Sequence, residues 1–168
     1  MTVEREDFIH AMRSVANSVA VVTTDGAAGR HGATVTAFCS VSADPPSVLV
    51  CLRIESRIAK AMTRNGMFCV NVLRDSASTL ADRFAGRSDA EVSDRFEGVE
   101  IVAHADRLPR LTAATCAFSC ILANTLAAGS HVVAVGRVHH VYTAPEHPLA
   151  YVDGGYACVT RLPALVPA

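Results

Sequence analysis

Short apolar, β-branched runs recur along this chain, and long amphipathic helices do not regularly separate one from the next. The runs are Ser18 to Thr24, His31 to Ser42, Ser47 to Leu52, Met67 to Leu73, Thr115 to Leu126, His131 to Tyr142 and Leu149 to Val152. Enrichment in Val, Thr and aromatic residues favours the pleated, half-buried surface of a strand. A doubly wound parallel sheet needs a helix after each strand, so this spacing excludes it. About six or seven strands with two or three short helices fit a closed antiparallel barrel with peripheral helices, a mainly β fold.

The helices are placed by their own signals. Arg5 to Ala16 puts Phe8, Met12 and Val15 at helical spacing. Ser56 to Arg64 opens on Ser56 as an N-cap and stops near Asn65-Gly66. Ser76 to Phe84 is a second short helix before a polar excursion from Arg87 to Gly98. Turns fall at Asp25 to Gly29, at Pro45-Pro46 and at Ala127-Ala128-Gly129-Ser130, which joins two long strands as a hairpin. The Val48 to Leu52 run is uninterrupted, which predicts burial on both faces of its strand. One domain over 1–168, with its core at about 8–159, is expected for 168 residues.

Charge and cysteine usage narrow the function classes. Formal net charge is −1, so no basic field is available to attract nucleic acid. Only 18% of residues are charged against 51% apolar, which points to a surface partly covered by another subunit. No apolar run reaches bilayer length and no secretory h-region opens the chain, so neither a membrane nor export is expected and the location is cytoplasmic. Cys39, Cys51, Cys69, Cys116, Cys120 and Cys158 form no CxxC pair and mostly sit in apolar runs, the pattern of buried reduced thiols. No metal site is expected, because the histidines lack ligand spacing and His139 and His140 point to opposite faces of one strand. There is no GxGxxG opening a βαβ unit, no GxSxG elbow, no Walker A lysine and no HExxH. Lys60 is the chain's one lysine, which argues against Schiff-base chemistry.

Four segments carry candidate chemistry. Gly32 to Ser42 is a strand of small and hydroxylated residues; it suits either close approach of a flat ligand to the backbone or an ordinary Thr/Ser-rich edge strand. Cys51 to Arg57 runs from strand into helix, where Ser56 and Arg57 stand at an N-terminus suited to phosphate, or serve as a plain cap and a solvated cation. Phe84-Ala85-Gly86-Arg87 closes a helix with an αL stop and an arginine able to fold onto an anion or to complement the helix dipole. Gly129-Ser130-His131 puts a histidine at a hairpin, where it can stack on a ring or donate a proton.

In order and spacing these segments resemble the short-chain flavin reductases, the reductase partners of two-component flavin monooxygenases of the hydroxyphenylacetate hydroxylase type. The likeness runs from about Phe8 to Tyr156. It is carried by Phe8 to Met12, Val21 to Gly26, Gly32 to Ala37 with Ser40 to Ser42, Pro45-Pro46, Val50 to Leu52 with Ser56, Phe68 to Leu73, Phe84 to Arg87 and Gly129 to His131.

The resemblance implies a split β-barrel homodimer that binds FMN or FAD, takes hydride from NADH or NADPH, and supplies reduced flavin to a partner flavin-dependent monooxygenase. It implies that Thr34, Val35, Thr36, Ala37 and Ser40 line the isoalloxazine and ribityl chain. Cys51, Leu52, Ser56 and Arg57 continue the site, with Ser56 near the phosphate and Arg87 by the phosphate or adenine. Phe84, Gly86 and Tyr156 complete the cofactor-binding set, and His131, at the family's Gly-Asp-His position, is the catalytic residue beside the nicotinamide. Here Ser130 takes the place of the aspartate, and the Pro-rich tail departs from longer relatives. The alternative is a non-catalytic flavin-binding protein on the same barrel. A heme-binding or pyridoxamine-phosphate oxidase relative is a more distant one.

Overall fold

The computed structural model describes residues 3–87, 94–102 and 107–162. Part of the polar excursion expected at 87–98, together with His104 and the end of the Pro-rich tail, lies outside them. Among the described residues are twelve strands and three α-helices. No helix there is long and apolar enough to cross a membrane.

Seven strands form one sheet. They are β2 (Ala20–Thr24), β3 (His31–Val35), β4 (Phe38–Ala43), β5 (Pro46–Arg53), β6 (Met67–Leu73), β9 (Ala114–Ala128) and β10 (His131–Thr143), in the antiparallel order β3-β2-β6-β9-β10-β5-β4. The order has a geometric consequence. Strands β3 and β4 stand at opposite edges of the sheet, yet only Thr36 and Ala37 join them. A flat sheet of this width would hold its edges on the order of 29 Å apart. Such a link spans about 10 Å at full stretch. The sheet therefore curls until its edges meet, and it does so without a β3–β4 ladder, which leaves a split in the wall. The sequence reading of one strand from His31 to Ser42 is corrected here: the chain leaves one edge at Val35 and starts the other at Phe38.

Side chains alternate across this wall. On β2 every residue is buried because both faces are covered: Ala20 and Val22 join one core, and Val21, with Val19 just before the strand, joins another. The first core fills the barrel with Val50, Leu52, Phe68, Val70 and Cys120. Helix α2 (Arg57–Asn65) packs against it with Ile58, Ala59 and Met62. Ser56 caps α2 by accepting from the Ala59 N–H, and Gly66, at φ 70°, ends it. Strand β10 crosses close over Phe68: a Cβ at Gly136 would stand 2.4 Å from the Phe68 Cζ. On β5, Val48, Val50 and Leu52 are buried while Leu49 and Cys51 are only half-buried, so the expectation of burial on both faces does not hold. One face of β5 looks into the barrel and the other outward.

The second core lies beneath α3 (Ser78–Phe84), which a 3₁₀ turn at Asp75–Ala77 precedes, and contains Leu73, Ala81, Phe84, Phe96 and Leu111. A small sheet of β1 (Asn17–Ser18), β11 (Leu149–Val152) and β12 (Gly155–Cys158) flanks it, and β7 (Ile101–Val102) pairs with β8 (Arg110–Leu111). Asn71 ties β8 down: its amide donates to Val21 O and Thr23 Oγ1 and its Oδ1 accepts from the Leu111 N–H. The first helix, α1 (Arg5–Arg13), is shorter than expected, and none of its residues is buried.

Candidate flavin site

The split between β3 and β4 opens into a cavity of about 430 Å³, within the roughly 300–1,000 Å³ range of small-molecule sites. The link residues Thr36 and Ala37 line it together with Ala33, Thr34 and Val35. Cys51, Leu52, Ser56, Phe84 and His131 complete the part of the wall named from sequence. Small side chains at 33–37 keep the wall low, so a flat ligand can approach the backbone. The Thr34 hydroxyl is already used, donating to Ala81 O at 2.7 Å, whereas Thr36 forms no side-chain hydrogen bond among the described residues.

A second cavity, about 630 Å³, continues from the first and shares Ala33, Ser56, Ile58 and Arg95 with it. Three arginines, Arg30, Arg57 and Arg95, line it against two carboxylates, Glu55 and Asp94, with Phe96 and His31 as flat surfaces. Arg30 is held at 3.0 Å from Asp94 and lies over the Phe96 ring at 4.6 Å. Arg95 reaches Phe84 O at 2.9 Å. The Phe96 N–H, and then Arg30, hold the Asp94 carboxyl below its ordinary value, while its partial burial opposes the shift. Arg53 and Arg57 have no ion-pair partner among the described residues, so both cations are open to an anionic ligand.

Ser40, Gly86, Arg87 and Tyr156 line neither cavity. Ser40 is exposed on β4. Gly86, at φ 84°, follows α3 as the left-handed stop. Arg87 and Tyr156 both bind Asp82 Oδ1, each at 2.7 Å. Burial first, and then the bond to Asp82, pushes the Tyr156 phenol up to about 12. Arg30, Arg53, Asp94, Arg95 and Phe96 were not singled out in the sequence. Arg53 lies inside a motif that was. Arg30 follows a turn, and Asp94, Arg95 and Phe96 enter from a polar stretch with no periodic signal.

At the far wall His131 opens β10 directly opposite Arg53 of β5. Ser130 Oγ lies 2.9 Å from its Nδ1. Cys51 is held as a thiol, its pKa raised by desolvation and then by Cys39, so it is a wall and not a nucleophile. Among the described residues no group of three or more His, Cys, Asp or Glu could hold a metal ion.

Comparison with known proteins agrees with this architecture. The profile of the "Flavin reductase like domain" family matches residues 12–160. "FMN reductase (NADH) RutF" of Pantoea ananatis is 35% identical over 160 residues, covering 95% of this chain and 83% of the relative. Nitrilotriacetate monooxygenase component B from Mycobacterium thermoresistibile superposes with a TM-score of 0.86 at 26% identity, covering 97% of this chain and 92% of that one. BorF, the flavin reductase component of a bacterial two-component tryptophan halogenase, superposes with 0.84 at 27% identity, covering 95% and 100%. With the family profile spanning residues 12–160, this chain belongs to the flavin reductase-like domain family.

Proposed function

We propose that this chain is an NADH:flavin oxidoreductase that delivers reduced flavin to a partner oxygenase, with FMN the flavin its relatives' names favour. The observation that carries the reading is the cavity in the barrel's split, where the small side chains of 33–37 and His131 line one space. BorF, the flavin reductase component of a two-component halogenase, and component B of a nitrilotriacetate monooxygenase support the oxygenase partner.

The residues present fit a flavin nucleotide: a low apolar wall for a tricyclic ring, and beyond it a lobe with three arginines for phosphate. When bound, the flavin supplies the hydride acceptor, so no protein nucleophile is required. The protein's work is orientation and exclusion of water. Ala33 to Ala37 give the ring its resting surface. The first turn of α2 turns its free N–H groups toward the phosphate, and Arg57 adds a fixed cation there. Ser56 both donates to Arg53 O and accepts from Ala59 N, so it shapes that turn. His131 orients the nicotinamide.

Oxidation of NADH and NADPH, measured with FMN, with FAD and without flavin, tests the reading. Flavin-dependent oxidation is expected; flavin binding without it would favour the non-catalytic alternative. His131→Ala should slow reduction more than it weakens flavin binding, and unchanged turnover would remove His131 from the reaction.

The unit is a homodimer in this reading. Phe8 is 60% exposed, Met12 45% and Leu126 65%, an apolar surface that a lone chain leaves in water. The six cysteines are all free thiols, which suits the cytoplasm.

A further inference from the structure

The hairpin joining β9 to β10 is built around Gly129 and Ser130. Gly129 has φ 57° and Ser130 does not share that sign, the pattern of a turn with glycine at its first position. The turn is tied to the wall of the cleft, because the Ile54 N–H donates to Ser130 O at 3.1 Å. Position 130 is thus fixed relative to β5, and its hydroxyl lies 2.9 Å from His131 Nδ1. No other described side chain bonds either ring nitrogen. Across the ladders His131 faces Arg53 on one side and Ala128 on the other, with Cys51 further along β5. Among the described residues no carboxylate lines the first cavity.

A serine and an aspartate at position 130 ask opposite things of the ring. A carboxylate only accepts, so it draws hydrogen onto Nδ1 and leaves Nε2 of a neutral imidazole as an acceptor. A hydroxyl can donate. We propose that Ser130 is the positioning residue of His131: its hydroxyl donates to Nδ1, holds the ring in the tautomer with hydrogen on Nε2, and so makes Nε2, the nitrogen left unbonded, a hydrogen-bond donor. That donor suits a carbonyl oxygen, such as the carboxamide of a nicotinamide. The proposal rests on the cleft being the nicotinamide and flavin site.

The test combines long-range proton–nitrogen NMR of the histidine rings with steady-state kinetics. His131→Gln identifies the His131 signals by their loss. In the ligand-free protein the His131 ring is expected to carry hydrogen on Nε2. Ser130→Ala should raise the Nδ1–H fraction, Ser130→Thr should restore the native ratio, and Ser130→Asp should drive it toward Nδ1–H. Losing one hydrogen bond of ordinary strength corresponds to a rise of about fivefold in the KM for NADH. The rise should be partly reversed in Ser130→Thr, with the flavin dissociation constant unchanged. A tautomer ratio equal in the native protein and Ser130→Ala overturns the proposal, as does hydrogen on Nδ1 in the native protein. If Ser130→Ala shifts the ratio but His131→Gln leaves the kinetics untouched, Ser130's hold on the ring stands and the nicotinamide role of His131 falls.

Discussion

Tyr156, a residue expected at the cofactor, is tied to α3 through Asp82. Its phenol donates to Asp82, the same carboxylate oxygen that Arg87 binds. Because its folded pKa is raised to about 12 from 10.0, the stability it contributes is complete below pH 10 and is lost as pH climbs toward 12. Denaturant midpoints measured against pH should fall across that window, and Tyr156→Phe should flatten the fall. Asp94 has the opposite sign. With its folded pKa lowered from 3.8, its contribution is present above that value and disappears only below it. The Arg30 clamp therefore stays closed through the neutral range. Gly136 is a matter of space alone. A Cβ there meets the fully buried Phe68 at 2.4 Å and the Cys120 Cβ at 2.7 Å. Gly136→Ala should lower stability by about 1–3 kcal/mol, read as a lower denaturant midpoint. Thr34, His131 and Ser56 could be named from sequence because each lies in a segment whose order along the chain carries the resemblance. Arg95 and Arg30 could not, since only the tertiary fold brings their segments to the cleft.

Among the elements, α2 was the most legible. Ser56 before it and Gly66 after it are punctuation that the backbone obeys, and the helix runs Arg57–Asn65. Removing the cap with Ser56→Ala should cost about 1 kcal/mol; it should also weaken flavin binding by loosening the turn that presents the α2 N–H groups. A titration and a melt on one sample would check both. The break between β3 and β4 was illegible for a physical reason. Thr36 and Ala37 carry no glycine or proline, and their neighbours continue a strand-like run. What divides the run is a change of partner, from β2 on one side to β5 on the other, and partnership is a tertiary property. Strands β7 and β8 escaped because two residues each are too few to show a period.

At the scale of the molecule, the curl of the sheet makes the site. The edges must come together because Thr36 and Ala37 are all that joins them, and the unladdered seam is where the cavity opens. The sequence carried the β-rich class and the barrel. It carried α1 only in part, since the apolar stripe at Phe8 and Met12 finds nothing to cover in one chain. Sedimentation equilibrium should give twice the 17.7 kDa chain mass, and a charge placed at Phe8 should shift it toward the monomer. The seam itself is tested by filling it. Ala37 is exposed and lines the cavity, so Ala37→Leu adds bulk there without disturbing either core. In an FMN titration followed by fluorescence, the variant should bind at least about tenfold more weakly, a loss of about 1.4 kcal/mol, with its melting temperature unchanged. Binding as tight as in the native chain would contradict the placement of the flavin in the seam.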